Sequence, residues 1–356
     1  MSVGEGLTLA GIDRQRVQAW LAAHVDGLTA PVEFALVSGG RSNLTYRVTD
    51  AAGVVYALRR PPTGGVLSTA HDMSREWRFL SALAPTAVPV APPLAYCADQ
   101  AVTGAEFYVM GFVDGQVLAD RDAGVALGAR ACARAGEQIV DVLVALHALD
   151  PAAVGLGELV RRTGYLERQL RRWHGQLHAS AAQLPALADE VALLDEVHDL
   201  LVAHVPEQRT GIVHGDYRPG NAAFGPDGSI RAVFDWELAT TGDPMADLGW
   251  LASSWQDPDE TAAAAATPGP STAPGSPRRA ELVRRYAQRS GRDVSGLPYW
   301  VAFSRWRSAC IGAGVQARYL AGHMADDGFL DEAPARAERG VRLAESARDA
   351  LLELGI

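Results

Sequence analysis

The sequence contains no lysine, so all 32 of its basic residues are arginine. Chemistry that ordinarily uses a lysine ammonium must here use a guanidinium, which is longer, planar and always protonated, or be absent. Positive charge is also in deficit, because 42 acidic residues give the chain a formal net charge of -10 at pH 7. A nucleic-acid partner requires a concentrated basic face. The sequence has no long basic run, and we expect no such partner.

Cysteines and long apolar runs are scarce as well. The three cysteines, Cys97, Cys132 and Cys310, have neither metal-ligand nor redox spacing, which favours reduced thiols packed in the interior. No run of about 18 apolar residues occurs, and the first helix-like segment carries charges where a signal peptide would need an apolar stretch. We therefore expect a cytoplasmic protein without a membrane partner.

The composition that remains is that of a folded protein, with 48% hydrophobic and 21% charged residues. Alternating apolar residues between short turns predict five strands in the first third of the chain. They cover 32–37, 44–49, 54–59, 93–98 and 106–113, with helices at 13–25 and 72–83. We predict an α+β protein in which residues 1–113 form a small antiparallel-sheet lobe.

Beyond residue 114 the apolar residues recur every three or four positions, which is typical of helices. The predicted helices cover 125–147, 164–177, 186–205 and, with breaks, 279–354. Residues 114–356 are therefore predicted to form a larger, mainly helical lobe. Within it, 256–277 is Ala, Thr, Pro, Gly and Ser around a run of alanines, which predicts a mobile surface loop.

One segment of the helical lobe carries a chemical pattern. Residues 213–221 read VHGDYRPGN, so that Asp216 is followed five positions later by Asn221, the spacing of a kinase catalytic loop. Predicted strands at 221–224 and 230–234 then flank a turn, and this hairpin would bring Asn221 and Asp235 together at its open end. An amide oxygen and a carboxylate are ligands suited to Mg²⁺. Asp216 is positioned to accept the proton of an attacking hydroxyl.

Each of these residues alone has a simpler explanation. An Asp after a Gly usually forms a turn, and Asp235 could cap the segment that follows it. His214 and His147 are better explained as structural histidines than as proton carriers. The combination of His-Gly-Asp, an Asn at the fifth position, a hairpin and Phe-Asp-Trp-Glu is what indicates catalysis.

This combination resembles the aminoglycoside phosphotransferase family of small-molecule kinases, over nearly the whole chain. The resemblance implies a protein-kinase-like bilobal fold and ATP-dependent, Mg²⁺-dependent transfer of a phosphoryl group to a hydroxyl. It implies that Asp216 is the catalytic residue and that Asn221 and Asp235 are the metal ligands. It also implies that Asp247 braces the catalytic loop.

In the first lobe the resemblance extends to nucleotide-binding residues. Residues 38–43 resemble the loop over the ATP phosphates, Arg59 stands where such kinases have a phosphate-binding lysine, and 107–113 resemble the hinge strand that holds adenine. The implied cofactor-binding residues are Gly39, Gly40, Ser42, Asn43, Arg59, its ion-pair partner Glu76, and Met110. The contact between Arg59 and the phosphates should survive with altered geometry. Strand alternation turns Arg60 to the opposite face, where we expect it to be exposed.

The resemblance is nearest to a subfamily whose members also occur as kinase domains fused to acyl-CoA dehydrogenases. The segments that indicate this subfamily are less specific than the catalytic loop; they are 42–46, 56–62 and the arginine-rich helix near 168. In the resemblance, 157–178 and 301–324 line the acceptor site. Their excess of arginine favours an anionic acceptor, with a hydroxyacyl-CoA as the leading candidate. The expected substrate residues are Arg168, Arg172 and Arg305, around a partly apolar groove with Trp173, Trp300 and Trp306.

Three alternatives stay open at this point. An aminoglycoside O-phosphotransferase would share every motif, although its polycationic substrate would need carboxylates in the acceptor site. A non-catalytic nucleotide-binding scaffold should have lost Asp216 or the metal ligands, and none is lost. A protein kinase is disfavoured because only eleven residues separate Asp235 from Asp247, which leaves little room for an activation segment.

Overall fold

The structure is a computed structural model that separates into two compact units. It describes residues 9–38, 43–63, 72–160, 164–181, 188–260, 268–320 and 333–356. The first unit is Met1–Gly115 with Arg231–Ala239, and the second is Gln116–Ile230 with Thr240–Ile356. The predicted boundary at residue 113 lies two residues from the observed one, but the sequence prediction placed all of 114–356 in one lobe. That is wrong for Arg231–Ala239, because Val233 donates its N–H to the Pro89 oxygen at 2.8 Å and bridges to Val90.

The first unit contains a five-stranded antiparallel sheet in the order β1-β2-β3-β5-β4. Its strands are β1 Val32–Ser38, β2 Leu44–Asp50, β3 Val55–Arg60, β4 Pro93–Cys97 and β5 Phe107–Gly111. All five predicted strands are therefore confirmed. The turn between β2 and β3 is closed by the Asp50 carboxylate, which accepts hydrogen bonds from the N–H groups of Ala52 and Val54.

Two helices cover this sheet, and both confirm the sequence prediction. Helix α1 is Arg14–His24, with the Asp13 side chain as its N-cap, and α2 is Met73–Leu83, with Asp72 as its N-cap. Val17 and Leu21 of α1 are fully buried in one core cluster. Met73 and Leu80 of α2 belong to a second cluster. Alternate residues of β3 join the two clusters, so this strand is covered on both faces.

Arg60 is buried, and the expectation that it would be exposed is wrong. The chain segment that leads into α1 lies over its side chain, and its Nη1 donates to the Ala10 oxygen at 3.4 Å. A Cβ added at Gly11 would collide with the same guanidinium. Strand alternation correctly placed Arg60 opposite Arg59, but it carried no information on what covers that face.

Among the described residues of the second unit, helices dominate. They are α3 Arg121–Leu127, α4 Ala129–His147, α5 Tyr165–Ala181, α6 Ala188–Ala203, α7 Met245–Ser254, α8 Arg279–Ser290, α9 Leu297–Leu320 and α10 Ala333–Leu352. The single helix predicted over 125–147 is two helices. Gly128 separates them with a φ of 90°, a left-handed conformation that ends one helix and admits the next.

Short strands position the loops of this unit. They are β6 Gln116–Val117, β7 Gly211–Val213, β8 Ala222–Phe224, β9 Ile230–Val233, whose last three residues belong to the first unit, and β10 Thr240–Gly242. β7 pairs antiparallel with β10, with Ile212 opposite Thr241, and β6 pairs antiparallel with β8. The β7–β10 pairing brings the start of α7 back beside the residues that follow β7.

The turn between β8 and β9 forms at the predicted residues and rests on α4. Its ends are joined by a hydrogen bond from the Gly225 N–H to the Ser229 oxygen at 2.8 Å. Gly228 has a φ of 81°, and a Cβ there would lie 2.1 Å from the Ala131 oxygen of α4. Only glycine satisfies both the backbone conformation and this close approach.

The expectation of an unpacked surface loop over 256–277 is wrong for residues 268–277. Ser271 and Ala273 are buried, and the Ser271 hydroxyl accepts a hydrogen bond from the Gln256 N–H at 2.9 Å. The Gln256 side chain in turn accepts from the Gly269 N–H at 2.6 Å. Hydrogen bonds from polar side chains thus hold this segment in place, although it has few large apolar residues that could pack. The alanine run of 261–267 lies outside the described residues.

All three cysteines are buried free thiols, as the sequence predicted. No helix within the described ranges is both long enough and apolar enough to cross a membrane.

Candidate active site

The predicted catalytic loop, residues 214–221 of the second unit, is held by the carboxylate of Asp247 at the start of α7. Asp247 accepts hydrogen bonds from two consecutive backbone N–H groups, that of His214 at 2.7 Å and that of Gly215 at 2.8 Å. Gly215 has a φ of 87°, which lets the chain turn around the carboxylate. This is the bracing contact that the family resemblance implied.

Asp247 is completely buried, and a histidine also contacts its carboxylate. The Nε2 of His147 lies 3.3 Å from the carboxylate, and the Nδ1 of His147 lies 2.8 Å from the Tyr286 hydroxyl. Burial alone would raise the pKa of Asp247, but the hydrogen bond from His147 and the loop N–H groups lower it below that of an ordinary aspartate. His147 is therefore a buried structural histidine, as expected.

Asp216 lies in this loop with both carboxylate oxygens oriented by neighbours. Its Oδ1 accepts from the indole Nε1 of Trp250 at 2.7 Å, and its Oδ2 accepts from the Nδ2 of Asn221 at 2.7 Å. Arg218 adds a weaker contact at 3.3 Å. The Asp216 side chain keeps 20% of its surface exposed, so the carboxylate is fixed in direction and still accessible.

Asn221, the predicted metal ligand, lies in the same loop and contacts Asp216. Its amide nitrogen donates both to the backbone oxygen of Asp216 at 2.9 Å and to the Asp216 carboxylate. The nitrogen is therefore used within the loop, and the amide oxygen is the atom that a cation would contact.

Two residues that hold this loop were missed by the sequence analysis. Trp250 orients Asp216, and Arg307 of α9 places its guanidinium carbon 4.2 Å from the centre of the Trp250 ring. The Nη2 of Arg307 donates to the Gly215 oxygen at 2.5 Å, and the side chain is buried. Trp250 follows Asp247 by three positions, a spacing that puts both on one helix face and offered a signal. No local pattern indicated Arg307.

In the first unit the predicted phosphate-binding residues form one hydrogen-bonded group. The Nε of Arg59, on β3, donates to Glu76 of α2 at 2.8 Å, and its Nη2 donates to Asp235 at 2.5 Å. Glu76 also accepts from the Tyr108 hydroxyl at 2.8 Å and from the Nδ2 of Asn43 at 2.5 Å. The Arg59–Glu76 pair expected from the sequence is thus formed, with Asn43 beside it.

The ionisable side chains of this group carry a net negative charge. Burial disfavours the charged form of Arg59, but the carboxylates of Glu76 and Asp235 raise its pKa well above its ordinary value. Glu237 lies 3.4 Å from the Asn43 amide. Three carboxylates and one guanidinium sum to -2, which fits a site for a divalent cation.

Asp235 itself has a left-handed backbone, with φ 66° and ψ 60°. It is the non-glycine residue with a positive φ among those that the structure describes. Asp tolerates this conformation better than most residues, at a cost of about 1 kcal/mol. Such strain concentrates at functional positions, where it fixes the direction of a side chain.

The remaining nucleotide-binding predictions have different outcomes. Met110 lies on β5 and is buried, in the same cluster as Met73 and Leu80. The predicted phosphate-loop residues Gly39, Gly40 and Ser42 lie outside the described residues. Asn221 belongs to the second unit and Asp235 to the first.

The predicted acceptor-binding arginines are not equivalent. Arg168 donates to the Gly164 oxygen at the start of its own helix, at 3.1 Å, and Arg172 is exposed on the same helix beside Trp173. Arg305 donates to the Ser346 oxygen of α10 at 2.9 Å, so its guanidinium joins two helices.

The expected groove tryptophans are core residues, and that expectation is wrong. Trp306 is completely buried, with its Nε1 donating to the Leu194 oxygen at 3.0 Å. Trp173 and Trp300 are buried as well. Helix α9 packs against several helices of the unit, so its aromatic residues are used in the core.

The bracing role of Asp247 generates a stability prediction. Asp247→Ala leaves the buried N–H groups of His214 and Gly215 without acceptors, which should cost about 1–3 kcal/mol each in the free energy of unfolding. Because the folded-state pKa of Asp247 is lowered, its carboxylate stabilises the fold above the ordinary Asp pKa of about 4 and loses this effect as the pH falls. Denaturant unfolding at neutral and at acid pH measures both effects.

Asp150→Ala is the matched control for this substitution. Asp150 is exposed and accepts one backbone N–H, that of Ala152 at 2.9 Å, so its loss should stay within about 0.5 kcal/mol. Equal losses from the two substitutions, or a difference between wild type and Asp247→Ala that grows at acid pH, would contradict the bracing role.

Comparisons with known proteins agree with this geometry. The family model described as "Phosphotransferase enzyme family" matches residues 33–282. The chain is 32% identical over 347 residues to acyl-CoA dehydrogenase family member 11 of Mus musculus, covering 94% of this chain and 43% of that protein. The chain thus spans less than half the length of this relative.

Solved structures show the same fold. A protein from Ralstonia eutropha, described provisionally as an aminoglycoside phosphotransferase, is 33% identical with a TM-score of 0.73, covering 94% of this chain and 98% of that one. An aminoglycoside phosphotransferase solved in ternary complex with AMP-PNP and hygromycin B is 18% identical with a TM-score of 0.59, covering 93% of this chain and 98% of that one. The α+β, protein-kinase-like fold predicted from the sequence is confirmed. The chain belongs to the phosphotransferase enzyme family.

Proposed function

We propose that this protein transfers the γ-phosphoryl group of ATP to a hydroxyl of a small molecule. The observation that carries the proposal is the carboxylate of Asp216, held by Trp250 and Asn221 in a loop that Asp247 braces. A carboxylate fixed in direction and partly exposed suits a group that receives a proton from an incoming alcohol. A non-catalytic scaffold would have no need to orient it so closely.

In the proposed reaction the acceptor oxygen attacks the γ-phosphorus and forms the new O–P bond. The bond between the γ-phosphorus and the bridging oxygen breaks, and ADP leaves with the bond electrons. Asp216 orients the acceptor hydroxyl and takes its proton, while Trp250 and Asn221 keep the carboxylate in place. The hydrogen bonds from the His214 and Gly215 N–H groups to Asp247 keep the loop in one conformation.

The nucleotide would be held by Arg59 and a Mg²⁺ ion. We propose that Arg59, fixed by Glu76, contacts the phosphates in place of a lysine. Bound Mg²⁺ would neutralise charge on the phosphates, with Asn221 and Asp235 as its protein ligands. The pairing of these two ligands rests on the sequence pattern, and the negative charge around Asp235 supports it. The AMP-PNP complex of the distant structural neighbour is consistent with an adenine nucleotide.

For the acceptor we propose an anionic alcohol, with a hydroxyacyl-CoA as the leading candidate. The relatives named as acyl-CoA dehydrogenase family members carry this domain in a longer chain, which suggests a substrate with a CoA group. The exposed guanidinium of Arg172, with Arg168 on the same helix, could meet its phosphates. Arg305 is a weaker candidate, since its guanidinium already binds Ser346. An aminoglycoside is the alternative acceptor.

The first prediction is that Asp216→Asn lowers kcat by about 10²–10⁴ and leaves the Kd for ATP within about threefold of wild type. The amide keeps the shape of the carboxylate but cannot take the proton of the acceptor. Steady-state kinetics and calorimetry measure the two quantities. Asp293→Asn, at an exposed turn of the same unit, is the control and should leave both unchanged. Wild-type turnover in Asp216→Asn would remove Asp216 from the mechanism.

Trp250→Phe should lower kcat about tenfold, because one hydrogen bond to Asp216 of about 1–1.5 kcal/mol is lost while the ring beside Arg307 remains. The KM for ATP should not change. Trp255→Phe is matched to it, because it removes a comparable indole hydrogen bond, to the Pro277 oxygen at 2.9 Å. This control should lower stability without lowering kcat. If both variants lose kcat equally, the effect is one of folding and not of orientation.

The acceptor proposal predicts that 4-hydroxyacyl-CoA is phosphorylated with a higher kcat/KM than kanamycin. Arg172→Glu should then raise the KM for the acyl-CoA about tenfold or more, because one phosphate contact becomes repulsive. Arg284→Glu makes the same charge change at an exposed position of α8 and should have little effect. Efficient use of kanamycin would overturn the acceptor and leave the kinase assignment standing. If ATP is hydrolysed but no acceptor of any class is phosphorylated, the kinase assignment itself is overturned.

A further inference from the structure

Three side chains on two facing helices of the second unit converge away from the catalytic loop. His174 and His178 lie four positions apart on α5, and Asp195 lies on α6. The Nε2 atoms of His174 and His178 are 3.0 and 2.8 Å from Asp195 Oδ1, and they are 3.1 Å from each other. Three potential ligand atoms therefore surround one point.

Protons alone do not account for this arrangement. With Asp195 ionised, each histidine contact to the carboxylate requires a proton on Nε2, since the carboxylate oxygen only accepts. The 3.1 Å contact between His174 and His178 is then a contact between two donors, which is repulsive. Removing either proton turns one nitrogen–oxygen contact into two facing lone pairs. A single cation at the centre makes all three contacts favourable.

The distances fit a small transition-metal ion. Zn²⁺ binds imidazole nitrogen and carboxylate oxygen at about 2.0–2.2 Å, so tetrahedral ligand atoms lie about 3.3 Å apart. The observed separations of 2.8 to 3.1 Å are shorter than this value by about half an ångström or less, so small side-chain shifts would admit the ion. Two imidazoles and one carboxylate suit Zn²⁺ and disfavour Mg²⁺, which prefers oxygen ligands.

The residues are held by the core and open to solvent at the same time. The His174 ring stacks on the His198 ring at 3.9 Å, and His198 in turn lies 5.7 Å from Trp306. The residue before Asp195, Leu194, has its backbone oxygen bound by Trp306. The side chains of His174, His178 and Asp195 are 33%, 46% and 37% exposed, so an ion can enter and keep a water as its fourth ligand.

Other exposed histidines behave differently. His24 and His204 each place Nδ1 within hydrogen-bond distance of a carbonyl oxygen four residues earlier in their own helix, at 2.8 and 2.9 Å. His174 and His178 instead point across to a carboxylate on the neighbouring helix. The convergence is therefore a feature of this pair of helices and not of exposed histidines in general.

We propose that His174, His178 and Asp195 bind one Zn²⁺ ion that ties α5 to α6. The site is independent of the proposed phosphotransferase reaction, because none of its three residues contacts the catalytic loop or the Arg59 group in the described structure. Bound Zn²⁺ would hold α5 in place. Because α5 also carries Arg168 and Arg172, the ion would fix the positions of these arginines as well.

The test uses the full chain without a polyhistidine tag, freed of metal by a chelator. Calorimetry should give one Zn²⁺ per chain, and Zn²⁺ at about a hundredfold excess over its Kd should raise Tm by about 5 °C. Co²⁺ in its place should show the visible absorption of a tetrahedral site. Mg²⁺ should do neither.

The variants His174→Ala, His178→Ala and Asp195→Asn should each weaken Zn²⁺ binding at least about tenfold. Asp195→Asn is nearly isosteric, and circular dichroism of the metal-free variant checks that it folds. His204→Ala is the matched control and should bind Zn²⁺ as wild type does. The site would be overturned if wild type showed no Zn²⁺-dependent shift in Tm, or if the three variants bound Zn²⁺ as tightly as wild type does. ATP binding by the same variants reports separately on the phosphotransferase proposal.

Discussion

The conformation of the predicted catalytic loop depends on the buried carboxylate of Asp247. It accepts the N–H groups of His214 and Gly215, and these precede Asp216 directly in the chain. A charged group without solvent must be compensated by several partners, and His147 adds one more. Because a two-donor contact fixes both position and direction, the backbone of the loop has little freedom. The orientation of Asp216 by Trp250 is precise only because its backbone is already fixed.

The absence of lysine shapes the first unit in a comparable way. A lysine ammonium is a point charge on a flexible stem, whereas the guanidinium of Arg59 presents separate nitrogens to Glu76 and Asp235 at once. One cation therefore bridges two carboxylates that would otherwise repel each other. Asn43 and Tyr108 satisfy Glu76 further. The excess negative charge that remains is the physical reason for proposing a metal ion there.

Arginine serves different purposes in different parts of the chain. Arg307 stacks on Trp250 and binds a loop carbonyl, and Arg305 joins α9 to α10. These guanidinium groups make structural contacts within the unit and are not available to a substrate. The number of arginines in a segment therefore does not by itself indicate how much positive charge a substrate would contact. Arg172 is the exposed residue of the predicted acceptor set. The proposed Zn²⁺ site on the same helix would add rigidity where that acceptor is expected.

The sequence by itself determined the order of the elements and indicated the residues that we propose carry the chemistry. Helix caps such as Asp13 and Asp72, strand alternation and the spacing of Asp216 and Asn221 are local signals, since they depend on neighbours within a few positions. Only the tertiary structure decided the burial of Arg60 and Trp306, the grouping of 231–239 with the first unit, and the contact between Arg307 and Gly215, which are 92 positions apart. The convergence of His174, His178 and Asp195 is of the same kind. Such contacts depend on which helix faces pack together, and that is set by the fit of whole surfaces and not by any short pattern in the chain.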